Sequence, residues 1–162
     1  MTNFKKTLLV LAVLFSSIAC DQVTKMAARS YLAGMPTQSF IGDMFRLEYS
    51  ENTGAFLGLG SSLPSDVKFW IFTLIIGVGL IGVLVFLFTR RNLNSAYVIG
   101  VSLIASGGIG NLIDRAFRNG AVTDFMNMGI GTLRTGIFNV ADVAIMIGVG
   151  VVFYASYKRQ DA

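Results

Sequence analysis

The sequence predicts a membrane-embedded all-α fold, a single domain of four transmembrane helices with a small external β-sheet or hairpin lying on the membrane surface. Three observations predict it. Of the 162 residues, 54% are hydrophobic and only 14% are charged, with a mean hydropathy of +0.67, whereas an ordinary soluble domain is about 25% charged. Four apolar runs recur, at about 7–25, 67–89, 96–113 and 138–157, each close to the roughly 20 residues that span a bilayer. The external segments left between them cover about 27–66 and 114–137, and the first contains a stretch that alternates with a period of two.

The first run opens on Lys5 and Lys6 and is uncharged from Thr7 to Cys20. A basic start, an apolar middle and the small residues of Ser17-Ile18-Ala19-Cys20 also describe a secretory signal peptide, and those four residues resemble a poor lipoprotein cleavage box. Three more spans follow, which a secreted soluble protein does not need, so a retained helix running to about Lys25 is preferred. Asp21 and Lys25 stand four apart on it and can pair on one face. An interfacial ion pair and a clamp at the mouth of a site both fit that spacing.

In the first external segment, Phe45, Leu47 and Tyr49 alternate with Arg46, Glu48 and Ser50, the pattern of a half-buried strand. The Gly42-Asp43 turn signal just before them predicts a hairpin over Gln38 to Tyr49. Glu51-Asn52-Thr53-Gly54-Ala55-Phe56 reads either as a turn or as a device that points the Asn52 amide at a substrate backbone. Gly58 to Ser62 reads as a flexible loop.

The second span begins with Lys68 and Trp70, which suit an interfacial anchor, and stops at Arg90-Arg91. The third is rich in small residues: Gly100, Ser102, Ala105, Ser106, Gly107, Gly108 and Gly110. Such residues let helix backbones approach closely in lipid, and Gly100 reads as packing of that kind. Gly107-Gly108, so near Asn111 and Asp114, also suggests room left for a ligand. The fourth span starts at Phe138 and ends at Lys158-Arg159.

Lys5-Lys6, Arg90-Arg91 and Lys158-Arg159 share one side of a four-span arrangement, which the positive-inside rule makes cytoplasmic. Both termini are then inside. Span parity brings Asp21, Asn52, Asn111, Asp114, Asp124 and Asp142 together at the outer face. A carboxylate in or near hydrocarbon is costly, and by default it is a functional candidate.

Composition narrows the chemistry. The net charge of +4 could suggest nucleic acid, but the basic residues are scattered at the ends of apolar runs and form no basic face. There is no histidine, which removes His-based triads and His metal clusters. The single cysteine allows no internal disulfide. Lys25 and Lys68 are the only lysines placed for a Ser-Lys dyad, and neither lies near a serine in an obvious elbow. The acidic spacings match no calcium or magnesium loop. Two aspartates sharing a site fit better: close carboxylates cannot both ionise cheaply, so the pair keeps one proton. One member can then act as general base on water while the other donates to a carbonyl oxygen, the aspartic mechanism of peptide hydrolysis. Asp142 is the preferred member, one turn into the fourth span with Asn139 three residues before it on the same face. Asp124, in a loop or strand before Phe125, is chosen only narrowly over Asp114, whose neighbour Arg115 favours a structural pair.

Five stretches in order carry a resemblance over nearly the whole chain: Asp21-Gln22-Val23-Thr24-Lys25, Glu51 to Phe56, Gly107 to Arg115, Val122-Thr123-Asp124-Phe125, and Phe138-Asn139-Val140-Ala141-Asp142. Together they make the chain similar to the lipoprotein signal peptidases, the type II signal peptidases of bacteria. The resemblance implies an aspartic endopeptidase that removes the signal peptide from prolipoproteins just before a diacylglyceryl-modified cysteine, at the outer face of the bacterial cytoplasmic (inner) membrane. It maps the catalytic pair onto Asp124 and Asp142. Asp21, Lys25, Asn52, Gly54, Gly107, Asn111, Asp114, Arg115, Asn139 and Ala141 fall on positions that support the pair or line the substrate site. The family often has two alanines after Asn-Thr-Gly, whereas here Ala55 runs straight into Phe56. Cys20 has no role under this resemblance and is expected to be a buried small apolar residue. The expected partners are lipid-modified prolipoproteins and membrane lipids, with no nucleic acid, no cofactor and no metal, and the chain is expected to act as a monomer.

Two other classes make different demands. A channel or transporter subunit relaying ions through its aspartates requires carboxylates through the depth of the membrane, and here they gather at one end. A lipoprotein anchored through Cys20 requires loss of residues 1–19.

Overall fold

The computed structural model describes residues 2–54 and 60–160. Ala55-Phe56 and the Gly58-Leu59 part of the expected loop lie outside the described residues. Among the described residues, four helices are long and apolar enough to cross a membrane: α1 (Asn3–Tyr31), α2 (Ser65–Thr89), α3 (Ser95–Phe117) and α4 (Val140–Gln160). Helix α1 runs past the apolar run that suggests it because its buried stripe continues. Lys6, Val10 and Leu14 are followed on the same face by Asp21, Lys25 and Ala28, so tertiary partners rather than apolarity carry the last turns. Helix α2 contains a π-helical stretch, Phe69–Ile75, that no sequence signal announces. Helix α4 starts at Val140, two residues after the expected start, because Phe138 bridges to Met126 of the sheet.

Helix α3 is the central element and packs against the other three. Its contact with α4 is backbone to backbone. A Cβ added at Gly100 would lie 2.9 Å from the Gly148 carbonyl oxygen, and one added at Gly148 would lie 2.6 Å from that of Gly100. Small residues at such crossings let dispersion contacts form where lipid offers no hydrophobic drive. Val10 and Leu14 of α1, Leu87 of α2, and Val98 and Ala105 of α3 form the buried apolar cluster.

Four antiparallel strands make one sheet in the order β1 (Gln38–Phe40), β2 (Phe45–Asn52), β3 (Val122–Ile130) and β4 (Leu133–Arg134). The hairpin pairs Gln38 with Leu47 and Phe40 with Phe45. At its tip Ile41, Gly42 and Asp43 all adopt positive φ, at 53°, 59° and 69°. A β-branched residue there is strained. Asp43 helps hold the turn: its carboxylate accepts from Arg46 at 2.7 Å and 2.5 Å and from Ser39 at 2.7 Å. These bonds hold the Asp43 carboxyl well below the usual carboxylate range. The second half of the sheet is larger than the alternation in β2 suggests, and β3 carries Asp124 directly opposite Ser50.

Candidate active site

Helix α1 supplies the base of the site. Asp21 and Lys25 pair at 2.9 Å, and both side chains are essentially inaccessible. The Asp21 carboxylate accepts the backbone N–H of Ala141 at 2.9 Å, which caps the first turn of α4 with a negative charge. Gly110 makes room for it: a Cβ there would stand 2.5 Å from Asp21 Oδ2. The requirement at Gly110 goes unread in the sequence, although Gly107 and Gly110 three apart already mark one bare face of α3. Lys25 Nζ also donates to Asn111 Oδ1 at 2.8 Å and lies 3.4 Å from Asp114 Oδ2. A buried ammonium between two carboxylates and an amide is fully paired, the condition under which such a charge is tolerated.

Asp114 is a structural acid, but its cations differ from the one adjacency suggests. It accepts the Thr123 N–H at 2.9 Å and faces Lys25, Arg118 at 3.8 Å and Arg29 at 3.9 Å. Arg115 turns elsewhere, since successive residues on a helix do not share a face. Its Nη2 donates to the Gly54 carbonyl at 2.7 Å, and its guanidinium stands 5.8 Å from the centre of the Phe72 ring. Arg115 Nε is buried without a partner among the described residues.

The two preferred aspartates meet through asparagines. Asn139 is the residue before α4, and its Oδ1 accepts the Asp142 N–H at 3.0 Å while its own N–H donates to Asp142 Oδ2 at 3.0 Å. This is a capping box, in which residues three apart satisfy each other's orphan donors. The Asn139 Nδ2 then reaches across to Asp124 Oδ1 at 2.6 Å and to Asn111 Oδ1 at 3.1 Å. Asn111 Nδ2 donates to Asp142 Oδ1 at 3.1 Å. Asn52 Nδ2 donates to Asp124 Oδ2 at 2.9 Å, and its Oδ1 accepts the Gly54 N–H at 2.9 Å. The Asn52 amide thus shapes the turn through its oxygen and holds Asp124 through its nitrogen. The Ala55-Phe56 end of the same motif is outside the described residues.

Asp124 and Asp142 are 2% and 7% exposed, and that burial sets their electrostatics. Burial, with the nearby Asp142 charge adding to it, pushes the Asp124 carboxyl up to about 6, against the opposing pull of the Asn52 and Asn139 amides. A carboxyl poised there can hold a proton near neutrality and still release it.

Two cavities flank the pair. One of about 280 Å³ is lined by the polar Ser50, Asn52, Thr53 and Ser61 above Asp124. The other, about 320 Å³, opens between α2, α3 and α4 beside Asp142, with Ile76, Gly108, Ile145 and Met146 as apolar walls. Gly108 leaves room here as expected, but Gly107 does not. A Cβ at Gly107 would meet the Ala141 carbonyl oxygen and Ile145, so Gly107 brings α3 against the start of α4. Cys20 is exposed on α1, contrary to the expected buried residue, because the buried face of the helix passes through Asp21 instead. Lys68 is more than an interfacial anchor: its amine donates to Thr53 Oγ1 and to the Ser61 carbonyl, both at 3.2 Å.

Residues 13–158 match the family model described as signal peptidase II. The lipoprotein signal peptidase of Borrelia duttonii (strain Ly) is 39% identical over 154 residues, covering 91% of this chain and 89% of its own. That of Chlorobium luteolum is 38% identical over 148 residues, covering 85% of each. Among solved structures, a bacterial membrane enzyme superposes with a TM-score of 0.76 at 28% identity, over 93% of this chain and 88% of that one.

Proposed function

The chain belongs to the signal peptidase II family, a multi-pass inner-membrane protease that cleaves the signal peptide from prolipoproteins, and we propose that Asp124 and Asp142 are its catalytic pair. The observation that carries this reading is Asn139, which hydrogen-bonds both carboxylates and fixes them to one another.

Asp142 is the ionised member. It accepts a backbone N–H and the Asn111 amide in the first turn of α4, where the helix dipole favours an anion. Asp124 is the protonated member. Asp142 takes a proton from water as the oxygen adds to the scissile carbonyl carbon, and Asp124 gives its proton to the carbonyl oxygen. The resulting diol collapses: Asp142 delivers its proton to the departing amide nitrogen, the C–N bond breaks, and a diol hydroxyl returns its proton to Asp124. One water is consumed, and the pair ends as it began.

The remaining assignments follow the same reading. The substrate carries a diacylglyceryl cysteine just after the scissile bond, and the apolar cavity takes the part of the substrate that comes from the bilayer. Lys25, Asp21, Asp114, Asn111, Asn52, Gly54, Gly107 and Ala141 hold the pair in place, and Arg115 faces the substrate. The site lies on the outer side of the membrane, both termini are cytoplasmic, the whole chain forms one domain, and it acts as a monomer. The test is cleavage of a diacylated precursor in detergent by the wild type and by Asp124→Asn and Asp142→Asn. Either substitution removes one half of the acid–base pair and should lower kcat by about 10²–10⁴-fold or more while the protein still inserts and folds. Normal turnover by Asp142→Asn would end the assignment.

A further inference from the structure

A further cavity lies at the opposite end of the bundle from the aspartates. It is about 500 Å³ and sits where the C-terminal ends of α2 and α4 meet the start of α3. Its polar wall is Arg90, Asn94, Tyr97 and Ser156, and its apolar wall includes Phe86 and Leu93. Arg90 is held in place through its backbone. The buried Lys6 amine donates to the Arg90 carbonyl at 2.5 Å and to that of Phe88 at 3.2 Å. Among the described residues, no carboxylate lies within ion-pair distance of Arg90 or Arg91. The first turn of α3 likewise carries no acidic residue. A basic cavity at the ends of helices long and apolar enough to cross a membrane, with one polar and one apolar wall, has the chemistry of an anionic lipid site.

We propose that this cavity binds the phosphodiester headgroup of an anionic phospholipid, with Arg90 as the charged contact, Asn94, Tyr97 and Ser156 as hydrogen-bonding groups, and Phe86 and Leu93 against the first carbons of an acyl chain. The lipid belongs to the cytoplasmic leaflet, and that clause alone rests on the proposed orientation. Occupancy ties the α2–α3 connection to the end of α4, remote from the catalytic pair.

The test uses protein stripped of lipid in a neutral detergent and titrated with phosphatidylglycerol or with phosphatidylcholine of the same chains, bound lipid being counted by native mass spectrometry. The wild type should prefer phosphatidylglycerol. Arg90→Gln should reduce that preference about fivefold, the contribution of one arginine near an anionic headgroup, and Arg90→Lys should retain most of it. Ser156→Glu, which places a carboxylate in the cavity without touching Arg90, should abolish it. Lys5→Gln, at the same end of the bundle but outside the cavity, should leave it unchanged. Equal retention of the two lipids, an unaltered preference in Arg90→Gln or Ser156→Glu, or an equal loss in Lys5→Gln would overturn the proposal. Displacement by millimolar inorganic phosphate would also overturn it, in favour of a free-anion site. Detergent has no leaflets, so the result does not depend on orientation, and precursor cleavage in the same detergent reports separately on the catalytic pair.

Discussion

Asn139 and Asp142 satisfy each other twice, each accepting the other's backbone N–H at 3.0 Å. The cap that starts α4 and the group proposed to activate water are therefore one structure, and a change to the cap is felt at the carboxylate.

Asn139→Ser separates the two roles. Serine keeps an acceptor for the Asp142 N–H but has no amide to reach Asp124 and Asn111. Helix capping by serine is within a few tenths of a kcal/mol of that by asparagine, whereas alanine loses about 1 kcal/mol. Thermal unfolding in detergent should therefore rank Asn139→Ser above Asn139→Ala, both below the wild type because Asp124 loses a buried donor, with both slow in precursor cleavage. A serine variant of full activity would show that the Nδ2 bridge between the carboxylates is dispensable.

The pH dependence follows from Asp124. Its carboxyl is raised from an ordinary value of 3.8 to about 6, first by burial. On the proposed assignment, the protonated form that assists the carbonyl oxygen dominates below about 6 and is lost above it, so kcat/KM should fall as pH rises through that value. Asn52→Ala deletes a donor that favours the ionised form, and the descending limb should move to higher pH. Stability has the same sign. Between 3.8 and about 6 the folded chain keeps a proton that the unfolded chain has released, so stability falls with rising pH across that window. A limb that stays in place in Asn52→Ala would assign the titration to another group.

Lys25→Met should be among the most damaging substitutions outside the pair. It leaves Asp21 and Asp114, each 1% exposed, without their shared ammonium. Breaking a buried ion pair from one side costs about 3–5 kcal/mol, a large share of the stability of a small domain. Yield and unfolding temperature in detergent should both drop sharply, and normal values for both would show that the two acids find other partners.

Two glycines offer a matched comparison. Gly107→Ala drives a methyl into the Ala141 carbonyl oxygen and Ile145, while Gly82→Ala meets nothing within 4 Å. Overpacking costs about 1–3 kcal/mol, so Gly107→Ala should lose stability and turnover together. Gly82→Ala should match the wild type in both. Equal behaviour of the two would mean that α3 and α4 separate freely at the site.

The spans were legible because lipid imposes a long apolar run on each, and β2 because apolar and polar residues alternate along it, although the structure half-buries both of its faces. Strand β3 was not legible: Val122, Thr123, Asp124 and Phe125 are all buried, so no alternation marks it. The pairing of Asp21 with Lys25 is local and could be read, but Ala141 and Asn111, which give the pair its purpose, are 120 and 86 residues away. Adjacency misdirected the reading of Asp114, whose cations come from three other positions rather than from Arg115. The three asparagines were marked by motif, yet only three dimensions reveal that all of them are ligands of the two carboxylates.

The bond from Ala141 to Asp21 joins the last helix to the first. Lys25 and Gln22, on the same helix as Asp21, can hold its carboxylate beforehand, but the Ala141 N–H reaches it only once the segment that forms α4 has been made. Asp142 arrives with that same segment. On the proposed assignment, a product truncated before Phe138 lacks one half of the acid–base pair and has no hydrolytic capacity to misdirect.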